Sequence, residues 1–256
     1  MNKMLLSVAV ISVLVSGCSS KNEMFKKTVD THSAKHWSYS GDTSPIHWGD
    51  LKKDYFMCKE GKNQSPINIT DARATEKNDI KFTYFTGGDK VVNNGHTIEV
   101  VYKPGSFIDI DGHKFELKQF HFHTPSENHI EGKSFPAEIH FVHQDKDGNL
   151  AVLALMVEEG AKNLELDKIL SSVSDKVNDE KELENPVSAS SLMPTDVDYY
   201  RFNGSLTTPP CSEGVIWAVF KKHITASKEQ LEKLHKLIGF NNNRPIQPID
   251  ARLIIK

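Results

Sequence analysis

The chain has 256 residues, enough for one large domain or two small ones, and 38% hydrophobic with 25% charged residues suit a folded protein with a core of its own. Its 31 Lys and Arg against 34 Asp and Glu leave a formal net charge of −3, so no basic excess points to nucleic acid and no nucleic-acid partner is expected. Beyond the N-terminal leader no apolar run is long enough for a helical membrane span, and no internal repeat or low-complexity tract divides the chain.

Residues 1–17 read as a leader: Lys3 supplies a short positive region, and Leu5 to Val15 an apolar stretch too short to span a bilayer. It ends Leu14-Val15-Ser16-Gly17-Cys18, which resembles a bacterial lipoprotein signal with Cys18 as the lipidated first residue. Ordinary cleavage nearby, with Cys18 a free thiol, is the alternative. Residues 18–35 read as a polar tether, and 36–256 as the folded domain. The expectation is an exported chain, periplasmic or at the cell surface, that meets a membrane only through lipid on Cys18. Cys58 and Cys211 then remain. Disulfides persist in exported proteins, so these two either bridge, closing a loop of roughly 150 residues, or stay unpaired and buried.

His36-Trp37-Ser38-Tyr39 and Pro45-Ile46-His47-Trp48 suggest an aromatic-packed, mostly irregular region, in which His32, His36 and His47 show no partner spacing. Gln64 to Ile69 reads as a turn feeding a short strand. From Ile80 to Leu117 the pattern is β throughout, with apolar positions recurring between Gly, Asn, Asp and Pro, and His96 follows the turn signal Asn93-Asn94-Gly95. Leu150 to Val157 is a continuous apolar run, read as a central strand. Leu164 to Val177 approximates helical spacing, Lys181 to Asp196 reads as loop, and Tyr199–Phe202 and Val215–Phe220 as strands. Ser227-Lys228-Glu229-Gln230 fits a capping box opening a helix that Gly239 ends. The class is β-rich, mainly β with a few peripheral helices, in a single domain.

The stretch from Gln119 to His143 carries the chemistry. Gln119, His121 and His123 alternate with Phe120 and Phe122, so the polar residues share one strand face. Glu138, His140 and Val142 share a face in the same way, and Pro125, Asn128, Gly132 and Pro136 mark a connection between the two strands. Antiparallel pairing brings His140 beside His121 and His123. Three imidazoles on one sheet face would make an open metal site, of the three-ligand kind that catalytic zinc takes, in which Gln119 and Glu138, each two residues before a His, are placed to accept the second ring N–H; two polar neighbours on a half-buried strand are the bland reading of His121 and His123 alone.

Seven collinear stretches resemble an α-class carbonic anhydrase across about residues 36–256: Gln64–Ile69, Asn94-Gly95-His96, Gln119–His123, Ser126-Glu127, Ala137–His143, Gly204–Cys211 and Asn243–Pro248. The resemblance implies a central, twisted, mostly antiparallel sheet with zinc in a conical cleft, and reversible hydration of CO2 to bicarbonate by zinc-bound hydroxide. It implies His121, His123 and His140 as ligands, with Gln119 and Glu138 behind them. Thr207 would accept from the hydroxide and donate its own proton to Glu127, and His96 would shuttle protons. Val142, Val152, Leu206 and Trp217 would hold CO2, with Thr208 a polar neighbour, and Cys58 with Cys211 would match the disulfide of exported members.

Two positions depart from the family pattern. Asn128 follows Glu127 where many animal members have His, which bears on how Glu127 is held, and Glu99 puts a carboxylate where many have a neutral residue on the cleft wall. Two other readings compete. His121, His123 and Glu127 fit H-x-H-x3-E, a cupin-like ligand set in a β-barrel that would make Glu127 a ligand to iron or manganese. A non-catalytic binding module is the other, although such members typically lose a zinc histidine and this chain keeps three.

Overall fold

The computed structural model of the chain describes residues 36–76 and 79–256. The leader, the tether and Cys18 lie outside the described residues. Thirteen strands are described: β1 (Asn68–Ile69), β2 (Lys81–Thr83), β3 (Gly88–Asn93), β4 (Ile98–Tyr102), β5 (Phe107–Ile110), β6 (His113–His123), β7 (His129–Ile130), β8 (Ala137–Gln144), β9 (Leu150–Glu159), β10 (Lys181–Val187), β11 (Tyr199–Ser205), β12 (Glu213–Phe220) and β13 (Ile224–Ala226). Eleven form one sheet in the order β10-β3-β4-β6-β8-β9-β12-β11, with β13 against β9 and β2 joined through β5 to β6. Pairing within it is antiparallel except where β12 and β13 run parallel to β9. The expected β-rich class and mostly antiparallel sheet are both observed, and the sheet is open, which removes the barrel that a cupin-like reading requires.

Period two divides the sheet into two buried faces. On β9, Ala151, Leu153, Leu155 and Val157 join one core cluster while Val152, Ala154 and Met156 join the other. A strand buried on both faces reads as a continuous apolar run, as this one does. Phe120 and Phe122 of β6, Ile139 and Phe141 of β8, and Ala218 and Phe220 of β12 enter the first cluster. The side chains between them therefore project to the opposite face.

Two helices cover the first cluster. In α1 (Leu164–Ser172) the Asn163 side chain caps the N–H groups of Glu165 and Leu166, and Leu166, Ile169 and Leu170 are buried. In α2 (Lys228–Ile238) the expected Ser227–Gln230 capping box is present, and Gly239 closes the helix at φ 89°, a left-handed conformation that glycine adopts without a Cβ penalty. Gln230 also ties the helices together, accepting from Asn163 N at 2.9 Å and donating to its carbonyl at 2.7 Å.

Two sequence expectations need correction. Helical spacing to Val177 fails after Ser172, where Val173 turns extended, and Val177 is 56% exposed. Lys181 to Asp196 is not all loop: it contains β10 and the single turn Ala189–Leu192. Asn185-Pro186 hid the strand. The proline is tolerated because β10 lies at the edge of the sheet and its pairing with β3 shifts register between Glu182 and Val187. The N-terminal region, read as irregular, forms short helical turns from Gly41 to Glu60, and its aromatic packing is as expected, with Trp37 and Tyr39 both edge-on to buried Trp48.

Cys58 and Cys211, 153 residues apart, form a disulfide. Cys211 lies at φ 57°, its N–H donates to the Thr208 carbonyl at 2.9 Å, and its carbonyl accepts from Gln64 Nε2 at 3.0 Å. The bridge thus joins the turn after Thr207 and Thr208 to the helical turn at Cys58, and the Gln64 bond ties it to the segment that follows. Chain entropy puts the ceiling on its contribution near 5 kcal/mol. Reduction is expected to lower the melting temperature, by up to about 10–20 °C for a domain of this size. Calorimetry with and without reductant checks this, and an unchanged melt would count against it.

Candidate metal centre

The register between β6 and β8 sets His121 directly opposite His140 and His123 opposite Glu138. One ring nitrogen from each of His121, His123 and His140 lies within 4.8 Å of the others. Their partners assign the tautomers. His121 Nδ1 lies 2.8 Å from Gln119 Oε1, His123 Nδ1 lies 2.7 Å from the Asn242 carbonyl, and His140 Nε2 lies 2.9 Å from Glu138 Oε1. Each of those nitrogens faces an acceptor and so carries the proton. That leaves Nε2, Nε2 and Nδ1 as bare lone pairs. Gln119 and Glu138 are thus bonded to the histidines that strand parity paired them with.

Burial drives the pKa of all three imidazoles down, strongly for His121 and His140, where the charge that a neighbouring His would carry if protonated adds to the effect, while the Asn242 carbonyl and Glu138 oppose it at His123. Neutral imidazoles are what a cation needs as ligands. His123 Nε2 is buried with no hydrogen-bond partner. An acceptor left bare inside a protein is costly, and a divalent ion would satisfy it. The residues present therefore fit a zinc ion with three nitrogen ligands and an open fourth position.

Glu127 approaches from the connection between β6 and β8, with Oε2 3.4 Å from His123 Nε2 and 3.9 Å from His140 Nδ1. Its Oε1 accepts the Arg244 N–H at 2.8 Å. Burial pushes its pKa well above the usual carboxylate range, opposed by the Arg244 N–H and by the nearby Thr207 side chain. Thr207 is close enough to act on the carboxylate, yet Oε2 makes no hydrogen bond of ordinary length and angle. Asn128, expected to bear on Glu127, turns instead to Glu138.

Beside the histidines, Val142 of β8 pairs with Val152 of β9 and Val152 with Trp217 of β12, making an apolar row on the ligand face. Trp217 sits edge-on to His140 with ring centroids 4.9 Å apart, held by its Nε1–H donating to the Ser205 carbonyl at 3.0 Å. Leu206 packs on the same cluster. Gly204 is required here, since a Cβ would lie 2.1 Å from Ser65 Oγ and 2.8 Å from the Trp217 ring.

On the other side an inner cavity of about 140 Å³ runs from His121 and His123 past Thr208, Gln119 and Glu99 to His96. Glu99 pairs in register with His121, and burial raises its pKa against a weak hydrogen bond from Asn94 at 3.4 Å. His96 lies at the mouth, stacked on Trp37 with centroids 3.7 Å apart and on His36 at 5.0 Å. Burial, with a smaller effect from His36, pushes its pKa below the usual imidazole value. A wider cavity of about 660 Å³ continues outward between Trp37, Tyr39, Val177 and Phe240.

Three contributors escaped the sequence reading. His36 has a partner after all, in His96. Asn242 holds His123 through its carbonyl, and its side chain donates to the carbonyls of His96 and Phe122 at 3.0 and 2.9 Å. Arg244, 2% exposed, donates to Gln64 Oε1 and to the carbonyls of Ser65 and Cys58. Arg244 lies within a stretch that carried the resemblance, which is the one signal that pointed to it. Asn242 acts partly through its backbone, which side-chain identity does not reveal.

The model of the eukaryotic-type carbonic anhydrase family matches residues 43–256. The carbonic anhydrase of Pectobacterium carotovorum is 46% identical over 220 residues, covering 86% of this chain and 90% of that protein. That of Pectobacterium atrosepticum is 42% identical over 245 residues, covering 96% of this chain and 97% of the relative. Among solved structures, the α-carbonic anhydrase of Thermovibrio ammonificans, in complex with the inhibitor sulfanilamide, superposes with a TM-score of 0.85 at 49% identity over 86% of this chain and 99% of that one. The chain belongs to the eukaryotic-type carbonic anhydrase family.

Proposed function

We propose that this enzyme catalyses the reversible hydration of CO2 to bicarbonate and a proton at one zinc ion held by His121 Nε2, His123 Nε2 and His140 Nδ1. The observation that carries the reading is the convergence of His121, His123 and His140, each with one ring nitrogen within 4.8 Å of the others. Zinc bound there would supply a nucleophile from water at neutral pH, a chemistry for which carbonic anhydrases are themselves the standard example.

The chain's own residues do the rest. Gln119, the Asn242 carbonyl and Glu138 fix the ring orientations. Val142, Val152, Leu206 and Trp217 offer apolar surface to CO2, which carries no charge to be clamped, and Thr208 borders them. Thr207 keeps its hydroxyl as an acceptor toward the nucleophile by donating its proton to Glu127 Oε2, an atom otherwise unpartnered. The expected outcome for His123→Ala is a loss of zinc affinity greater than the roughly 10–100-fold that outer contacts contribute, with the fold retained. Metal analysis and CO2-hydration assays check it, and an active, metal-free wild-type preparation would overturn the reading.

Each hydration cycle must also discard a proton. A group titrating near neutrality sheds its proton to water no faster than about 10³ s⁻¹, because recapture runs near the diffusion limit of about 10¹⁰ M⁻¹s⁻¹. Faster turnover needs a relay, and an imidazole with an ordinary pKa of about 6.5 suits it. His96, at the mouth of the inner cavity, takes that role. His96→Ala is expected to lower kcat about ten-fold or more in dilute buffer, to leave kcat/KM for CO2 nearly intact, and to recover with added imidazole. An equal fall in both parameters without rescue would make His96 a structural residue.

The reading extends to placement. Residues 1–17 act as a leader, lipid on Cys18 anchors the exported chain, and the tether to residue 35 leaves the domain at 36–256 free in an aqueous compartment. The Cys58–Cys211 disulfide is consistent with export. Cys18→Ser is expected to move the protein from the membrane fraction to the soluble exported fraction, and an unchanged membrane pool would count against lipidation.

A further inference from the structure

Glu138 is fully buried, and its carboxylate is filled on both oxygens. Oε2 accepts the Glu127 N–H at 2.7 Å and the Asn128 N–H at 2.8 Å. Oε1 accepts the Asn128 side-chain N–H at 2.7 Å and faces His140 Nε2 at 2.9 Å. Two of the three donors besides His140 thus come from one residue. Asn128 is itself fixed: its Oδ1 accepts the Ile67 N–H at 3.1 Å, and its carbonyl accepts from Ser126 Oγ at 3.0 Å. Both ends of its amide are in use, and it is wholly buried.

We propose that Asn128 is a positioning residue of the metal centre: its side-chain amide, clamped between the Ile67 N–H and Glu138 Oε1, aims the Glu138 carboxylate at His140 and so sets the direction of the third ligand. The proposal rests on the reading of His121, His123 and His140 as a zinc site.

The physical argument is one of direction. A carboxylate whose backbone donors grip only Oε2 still pivots about that oxygen. The Asn128 Nδ2–H on Oε1 removes the pivot. Oε1 then offers its remaining acceptor direction to His140, and the imidazole cannot turn its Nδ1 away from the other two ligands without breaking that bond. Because the donor is a neutral amide it adds no charge beside the cation, and because its other end is tied to Ile67 it has no alternative rotamer of equal satisfaction. Outer partners of this kind typically contribute about 10–100-fold to metal affinity.

The test compares the wild-type protein with Asn128→Leu, which has the same branching at Cγ and removes the donor, and Asn128→Ala, which stands in if the bulkier leucine variant does not fold. Each is loaded with Zn²⁺, and release to an excess of chelator is timed. Each is also loaded with Co²⁺, whose visible absorption reports ligand geometry. The expected result is zinc release about ten-fold or more faster, together with a changed Co²⁺ spectrum. Release within about two-fold of wild type would overturn the proposal. So would faster release with an unchanged Co²⁺ spectrum, which would mean that Asn128 acts through general stability. A wild-type chain that takes up neither ion would instead sink the zinc reading itself.

Discussion

The antiparallel register of β6 against β8 is the constraint on which the site depends. It sets His121 opposite His140 and His123 opposite Glu138, with Phe120 opposite Phe141 on the far face. The side-chain period of a strand is two, so slipping either strand by one residue would send its histidines into the aromatic cluster and its phenylalanines into the cleft. Phe120, Phe122, Phe141 and Ile139 are all buried in that cluster, together with β9 residues and the apolar faces of α1 and α2. The hydrophobic burial of one face therefore enforces the placement of polar groups on the other. Neither the helices nor the first cluster touches the reacting groups, yet both hold the register that brings three imidazoles together.

Polar groups buried this deeply destabilise a fold unless each finds a partner. Glu138 and Glu127 are almost completely inaccessible, as is Arg244. Glu138 is satisfied by three N–H donors besides the His140 ring. Arg244 is satisfied by Gln64 and the carbonyls of Ser65 and Cys58, and burial lowers its pKa only to about 10, so it keeps its charge at neutral pH. Its backbone N–H holds Glu127 while its guanidinium holds the segment carrying Cys58. The disulfide continues from there to Cys211 and the turn after Thr208. Glu127, Arg244, Cys58, Cys211 and Thr208 thus form one connected path, which fixes the acceptor and the loop that bears Thr207 relative to each other.

The legible parts of the sequence were those governed by a local period. The alternation Gln119–His123 and Glu138–Val142 assigned faces that the structure reproduces, and the unbroken run of Leu150–Val157 announced a strand covered on both sides. The capping box at Ser227 was equally local. What escaped depends on distant chain. β10 owes its existence to pairing with β3 at the sheet edge, while its own Asn185-Pro186 argues against a strand. Asn128 sits beside Glu127 in sequence, but the carboxylate its side chain meets lies ten residues on, across the connection. His36 and His96 stack across sixty residues of intervening chain, and no spacing rule links them. Cysteine counting did expose the pair that bridges 153 residues, since export leaves few other uses for two thiols.

The same register that assembles the ligands also separates the two transport tasks of the proposed reaction. From His121 and His140 the row of paired residues runs through Ala154 toward β12, and the neighbouring row runs Gln119, Val142, Val152, Trp217. In the other direction the row meets Glu99 on β4, whose preceding turn carries His96. Moving across the sheet from β6 toward β12 therefore leads into apolar surface, and moving toward β4 leads into the inner cavity, which Glu99, Gln119 and Thr208 help to line on the way to the His96 imidazole. CO2 gains from the first environment and a migrating proton from the second. Under the proposed reaction one flank would serve the neutral substrate and the other the departing proton. Because both flanks hang on the pairing of β6 with β8 and their neighbours, substrate access, metal binding and proton exit would, in that reaction, share a single structural determinant.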